Sequence, residues 1–138
     1  MTDQVQAFLA PVPKEHLESA EHDFGPKILF FGSDDYEFFK GDRVVAGADV
    51  YIYESHGERA KSVITWQAEF VRFVLKEDMS VADALLRPSS TQDDTSFVGY
   101  WAVKSLRRVE ETPISSLHGS DRHNFPRGLI PRRPTAVT

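Results

Sequence analysis

The hydrophobic pattern of the chain predicts four main β-strands separated by short helices and polar loops. Residues 27–31 form an apolar run of strand length, and residues 49–55 are rich in β-branched and aromatic side chains. Residues 62–76 carry the longest strand pattern, and residues 97–104 carry another that 105–111 either continue or pair with. These strands do not alternate with helices as a parallel sheet requires. The pattern therefore indicates an α+β fold with one curled, mostly antiparallel sheet.

The longest strand changes its apolar face part-way along. Alternate residues from Ile64 to Phe70 are apolar, whereas from Val71 to Leu75 the alternate apolar residues fall on the other face. The switch predicts a β-bulge that curls the sheet towards closure. Gly99, inside the later strand, predicts a bend or a close approach to the backbone.

Short helices are predicted around these strands. Pro13 begins one over residues 13–22, Ser33 is expected to cap another over 34–40, and Ser80 begins a third that ends at Arg87-Pro88. A last turn is predicted over 114–118, and no strand is predicted before the first helix.

The composition indicates a single globular domain. The chain has 138 residues, of which 41% are hydrophobic and 27% are charged, and one core commonly organises a chain of this length. It has no cysteine, which excludes disulfides and cysteine-type zinc sites. No apolar run reaches the ~18 residues of a membrane span, and the N-terminus does not resemble a signal peptide. A cytoplasmic protein that does not bind membranes is expected.

The charge is distributed unevenly along the chain. The net charge is −5, yet residues 121–138 carry four arginines and one aspartate, so the preceding residues are strongly acidic. We therefore predict one domain over residues 1–120 and an irregular arginine- and proline-rich tail over 121–138. An acidic body argues against tight nonspecific binding to duplex DNA, which needs many cation–phosphate contacts. Recognition of one nucleotide remains open.

Three stretches resemble PUA-like domains, particularly those of the ASCH and EVE families. Residues 47–55 (GADVYIYES), a polar loop and residues 63–71 resemble the core hairpin, and residues 99–114 (GYWAVKSLRRVEETPI) resemble the ASCH closing strand. Residues 31–33 and the helix over 34–40 correspond to the strand and helix that flank the pocket. The resemblance covers about residues 27–117. It implies a PUA-like, curled, mostly antiparallel β-barrel with short flanking helices.

One segment departs from the ASCH pattern. ASCH domains usually carry a G-x-K-x-x-E/T-x-R segment after the first helix, and the corresponding residues 41–46 here are GDRVVA. The lysine and threonine that ASCH amidohydrolases use on acetylated cytidine are absent from it, which argues against that activity.

The resemblance implies a cleft between the barrel and the helix after the first strand. Aromatic faces in such a cleft can stack on a flipped-out base, while hydroxyls and backbone amides read its edge. The alternatives are a core role for Trp66 and Trp101, a helix cap at Ser33 and a solvent-facing position for Glu54. The residues expected to line the cleft are Ser33, Tyr53, Glu54, Ser55, Trp66, Tyr100 and Trp101.

Three functions are consistent with this reading. The first is recognition of a nucleic acid or a modified nucleotide, with RNA favoured over DNA. The second is an enzyme on the same fold, a ribonuclease or nucleoside amidohydrolase, in which Lys61 and Lys104 would act beside Tyr53, Glu54 or Ser55. The third is a small interaction protein. The histidines lack metal-ligand spacing and no cofactor motif is present, so neither metal nor cofactor is expected.

Overall fold

The structure is a computed structural model that describes residues 4–41, 43–54, 63–87, 97–119, 124–125 and 133–137. This part of the chain forms six strands, three α-helices and two 3-10 turns. In chain order they are β1 (Val5–Val12), α1 (Lys14–Phe24), β2 (Leu29–Ser33), α2 (Tyr36–Phe39), β3 (Val44–Glu54), β4 (Val63–Leu75), a 3-10 turn (Lys76–Asp78), α3 (Val81–Ala84), β5 (Gly99–Pro113), a second 3-10 turn (Ile114–Ser116) and β6 (Thr135–Ala136).

All six strands belong to one sheet, in the order β2-β5-β4-β3-β1-β6. The β1–β3 pair is parallel, and the other neighbouring pairs are antiparallel. The prediction of one mostly antiparallel sheet that contains the four main strands is confirmed. Among the described residues β2 and β6 are the two edges and do not pair with each other, so closure into a barrel is not confirmed.

Both faces of the sheet are packed, but differently. The inner face carries the largest core cluster, in which residues of β3, β4 and β5 meet Leu17 and Ala20 of α1 and both phenylalanines of α2. The outer face carries two smaller clusters at opposite ends of the sheet. One includes Tyr53, Ile114 and Val137, and the other lies against residues 79–86. The middle of the outer face lies between them.

Two irregularities bend the long strands. β4 shifts register between Phe70 and Arg72, which confirms the predicted bulge. The bulge returns Phe73 to the inner face, where its ring stacks on Phe39 at 5.1 Å, so the expected placement of Phe73 on the other face is wrong. In β5 the register shifts near Ser105, which adopts a left-handed backbone with φ of 57°.

Several local predictions needed correction. Asp35, and not Ser33, caps α2: its Oδ1 accepts from the Phe38 amide at 3.2 Å, whereas Ser33 ends β2 and its hydroxyl oxygen accepts from the Asp35 amide. β1 was not predicted at all. Residues 105–111 continue β5 rather than pairing with it.

The close approach predicted at Gly99 is confirmed. A Cβ there would collide with the ring of Phe73 and the carbonyl oxygen of Val74. The end of the expected irregular tail is also ordered, because β6 pairs with β1. No helix within the described ranges has the length and apolar character needed to cross a membrane.

Candidate functional site

The aromatic residues predicted to form a pocket are all buried. Tyr53 and Trp66 have no exposed surface, and Tyr100 and Trp101 expose 2% each. Trp66 and Trp101 belong to the inner core, whereas Tyr53 and Tyr100 lie in the two separate outer clusters. The structure thus divides these rings between opposite faces of the sheet rather than gathering them around one cleft.

The two predicted serines have different outcomes. Ser33 is 7% exposed and ends β2, where it pairs with Gly99 of β5. Its neighbour Gly32 pairs with Tyr100. Ser55 lies outside the described residues.

Two of the predicted residues do meet, at the end of β3. The indole Nε1 of Trp66 donates to Oε1 of the half-buried Glu54 at 3.3 Å. The register explains the contact, because Ile52 pairs with Trp66 and Glu54 follows two residues later on the same face. An indole N–H donates only, so the carboxylate satisfies it fully.

A cation covers the ring of Trp66. Arg108 is the β5 partner of Trp66, and its guanidinium carbon lies 4.5 Å from the indole centroid. Glu21 of α1 holds the guanidinium: Arg108 Nε and Nη2 donate to its carboxylate at 3.1–3.3 Å. Glu21 lies four residues after the buried Leu17, which places it on the side of α1 that faces the sheet.

We call Glu21, Glu54, Trp66 and Arg108 the Trp66 site. The hydrogen bond that Arg108 donates to Glu21 is the main cause that raises the pKa of Arg108, so this guanidinium stays cationic at any physiological pH. Arg108 remains half-exposed, with 56% of its side chain accessible, although the indole beneath it is fully enclosed. The planar, half-exposed guanidinium of Arg108 therefore lies over the face of Trp66, and the carboxylate of Glu54 lies at the edge of the indole.

Sequence reasoning missed Glu21 and Arg108. Their contact joins residues 87 positions apart, and neither lies in a motif that indicates the other. The pairing of Arg108 with Trp66 depends on irregular register shifts between β4 and β5, which hydrophobic periodicity does not locate.

The residues suggested for catalysis are placed differently. Lys104 forms an ion pair with Glu69 at 3.2 Å, so it is not grouped with Glu54, and Lys61 lies outside the described residues. The hydroxyl of Tyr53 is buried without a hydrogen-bond partner among the described residues, and burial raises its pKa well above the usual range. Within those residues no cluster of three or more histidine or carboxylate side chains could hold a metal ion.

Comparison with known proteins identifies the fold. No protein-family model matches the chain, and no curated protein matches its sequence. Among solved structures it is similar to the crystal structure of a serine-to-alanine mutant of ZmASCH from Zymomonas mobilis. The TM-score is 0.58 with 12% sequence identity, over 99% of this chain and 91% of that one. The chain therefore has the PUA-like fold of an ASCH protein, as its hairpin and closing strand predict.

Proposed function

We propose that the protein recognises a nucleotide base, in single-stranded RNA or as a modified nucleotide, at the Trp66 site. The observation that carries the proposal is the guanidinium of Arg108 stacked on Trp66, with Glu54 at the edge of the indole. A guanidinium and a nucleobase are both planar groups that stack on aromatic faces. The ASCH-type fold supports a ligand of this class.

Binding would exchange one planar group for another. The base displaces Arg108 from the indole and gains roughly 1–3 kcal/mol from stacking. Glu54 has a second carboxylate oxygen that can accept from an exocyclic amino group, as carboxylates do from N4 of cytosine. The displaced Arg108 remains near the ligand, where it can contact phosphate. The bases with an exocyclic amino group, cytosine, adenine and guanine, are therefore favoured over uracil.

The charge of the chain restricts the ligand. The acidic body is unsuited to the many phosphate contacts of a duplex, so a short single strand or a free nucleotide is the proposed partner, and RNA is preferred through its 2′-hydroxyl. We place this activity in the cytoplasm. A complete base pocket would also need groups from Ser55 and its neighbours, which remain predicted contacts.

Titration with nucleotides tests the proposal. In a Trp101→Phe variant Trp66 is the remaining indole, so its fluorescence reports stacking directly. CMP or AMP should quench it saturably and UMP should do so more weakly. The indole N–H signal of Trp66 in NMR spectra of the unmodified protein gives a second readout that does not depend on the variant. No response to any nucleotide in either measurement would overturn the proposal.

Two variants separate recognition from a structural role. Glu54→Gln should reduce the preference for CMP over UMP, while Glu15→Gln, an exposed carboxylate on α1, should leave it unchanged. Arg108→Ala removes the group that competes for the ring and should tighten binding of the nucleoside cytidine, which has no phosphate for the displaced guanidinium to contact. Weaker binding on removal of Arg108 would contradict the exchange.

A further inference from the structure

A row of polar side chains crosses the middle of the outer face. Tyr51, Gln67 and Arg107 are consecutive register partners on β3, β4 and β5. Their neighbours Ile52, Trp66 and Ala68 point into the inner core, so these three point outward. The row spans two strand spacings, about 10 Å.

These groups retain hydrogen-bonding capacity. Within the described residues the Gln67 amide and the Tyr51 hydroxyl have no side-chain hydrogen bond, and Arg107 donates from Nη1 to the Ser105 carbonyl at 3.2 Å. The ring of Tyr51 packs against the neighbouring outer cluster and is only partly buried. The row can therefore bind a polar, partly aromatic ligand.

A second row beside the first gives the face its charge distribution. Asp49, Glu69 and Lys104 are register partners on the same three strands. Cations consequently lie on β5, where Lys104 and Arg107 are exposed, and carboxylates lie on β3 and β4. An anionic group is attracted to the β5 side, and neutral or donor groups are favoured on the β3 side.

The left-handed residue Ser105 places the two cations together. Lys104 and Arg107 are three residues apart and would point to opposite faces of a regular strand. The register shift between the Gln67 and Glu69 pairs adds one residue to β5 and brings both side chains to the outer face. The Ser105 amide donates to the Pro26 carbonyl at 2.8 Å, which fixes the distortion.

The Trp66 site and the outer row meet at a sheet edge. β2 pairs with β5 only over residues 99–103, so from Arg107 onward β5 has a strand neighbour on one side alone within the described residues. Arg107 and Arg108 are consecutive at this edge, and Arg108 faces the inner side while Arg107 faces the outer side. A flexible chain can pass around the edge between them.

We propose that single-stranded RNA with a base at the Trp66 site continues around the β5 edge onto the outer face. Lys104 and Arg107 hold phosphates of the continuing strand, and Tyr51 and Gln67 contact the next base. This inference rests on the proposed function, because the path begins at Trp66.

Binding of a labelled single-stranded RNA of about eight nucleotides, within the usual range for single-strand binding folds, tests the path. Arg107→Ala should weaken binding roughly tenfold, the scale of one charge-assisted hydrogen bond. Each lost phosphate contact should reduce the log–log salt slope by about 0.7, hence about 1.4 for Arg107→Ala with Lys104→Ala. Tyr51→Ala should weaken binding without changing the slope, since it contacts a base.

Lys40→Ala is the matched control. Lys40, like Lys104, is half-exposed and paired with a glutamate, but it follows α2, whose Phe39 packs towards the other end of β4. It should change neither affinity nor slope. CMP binding should be unaffected by Arg107→Ala, because a mononucleotide does not reach the outer face.

The outcomes distinguish the two proposals. RNA binding that perturbs the Trp66 indole signal but is insensitive to Arg107, Lys104 and Tyr51 would overturn the outer path alone. RNA binding without any Trp66 response would overturn the proposed function and the continuous path together. Absence of RNA binding by the unmodified protein would overturn the path alone if CMP still binds at Trp66, and both proposals if CMP does not bind either.

Discussion

Arg108 lies over Trp66 as a cover, with its guanidinium carbon 4.5 Å from the indole centroid, while the indole itself has no exposed surface. The two side chains therefore contribute differently to the protein. The indole fills the inner core, whereas the guanidinium is tied to Glu21 at the surface.

This difference predicts unequal effects on stability. Trp66→Ala should lower the free energy of unfolding by about 3–5 kcal/mol, because a large buried aromatic is lost, and Trp101→Ala should do the same. Arg108→Ala should cost no more than about 1 kcal/mol, since its ion pair is half-exposed. Urea denaturation of the three variants measures these values. If Arg108→Ala lowers the free energy of unfolding as much as Trp66→Ala does, the Arg108 side chain is part of the core.

The strands that the sequence predicts correctly have clear local signals. The face switch at Phe70 and Val71 predicts the β4 bulge, and Gly99 predicts the close approach of Phe73. Both are consequences of side-chain alternation and size within one strand.

β1 has no comparable signal. It contains Pro11, which normally argues against a strand inside a sheet. Among the described residues β6 pairs with Phe8 and Leu9, so Pro11 lies beyond that pairing and its missing N–H costs the β1–β6 ladder no hydrogen bond. Its parallel partner β3 lies beyond two helices and a strand in the sequence, which local patterns do not connect.

The candidate site is only partly predictable for the same reason. Glu54 and Trp66 come from one hairpin, and both were predicted. Glu21 and Arg108 join them from elements far apart in the chain. Burial of Trp101 and Tyr100 depends on which face each ring takes, and β5 is buried on both faces along that stretch.

The buried hydroxyl of Tyr53 predicts a stabilising substitution. Without a hydrogen-bond partner among the described residues, it carries an uncompensated desolvation cost of about 1–3 kcal/mol. Tyr53→Phe should therefore raise the free energy of unfolding, by up to that amount. A lower stability of Tyr53→Phe in urea denaturation would indicate that the hydroxyl has a partner.

The same residue predicts a pH dependence. Burial raises the pKa of Tyr53 in the folded protein, whereas the unfolded side chain ionises near pH 10. Ionisation of Tyr53 therefore leaves the free energy of unfolding unchanged below about pH 10. As the pH rises further this free energy falls, because only the unfolded state releases the proton. Tyr53→Phe should show a shallower loss above that pH. Burial, and then Asp49, also raise the pKa of Tyr51, so Tyr51→Phe in addition should flatten the curve further.

The left-handed conformation of Ser105 predicts opposite effects of two substitutions. An L-residue in this region costs roughly 1–2 kcal/mol, which glycine avoids. Ser105→Gly should leave stability equal or raised by up to about 1 kcal/mol, and Ser105→Val should lower it. Glu111→Gly, an exposed position elsewhere in β5, serves as the control and should cost about 0.5–1 kcal/mol. If Ser105→Gly lowers the free energy of unfolding as much as Glu111→Gly does, the backbone strain at Ser105 is absent.

Residues 121–138 are predicted to form an irregular tail, yet the described residues near the end of the chain pack on the sheet. Val137 is buried with Leu9 and Tyr53 in an outer cluster, and its amide donates to the Ala7 carbonyl at 3.0 Å. Together with β6 it covers β1, which otherwise would present an open edge on that side.

Val137→Ala should therefore lower the free energy of unfolding by about 1–2 kcal/mol, because it removes two buried methyl groups. Val81→Ala makes the same chemical change at a position that is 82% exposed, so its effect should be near zero. Removal of residues 135–138 should cost more than Val137→Ala, since it also takes away the β1–β6 hydrogen bonds. Thermal and urea unfolding of the three proteins measure this order. Equal stability of Val137→Ala and Val81→Ala would show that the chain end does not pack on β1 in solution. A cooperative transition that persists after truncation, at lower denaturant concentration, would show that β6 stabilises a sheet which can form without it.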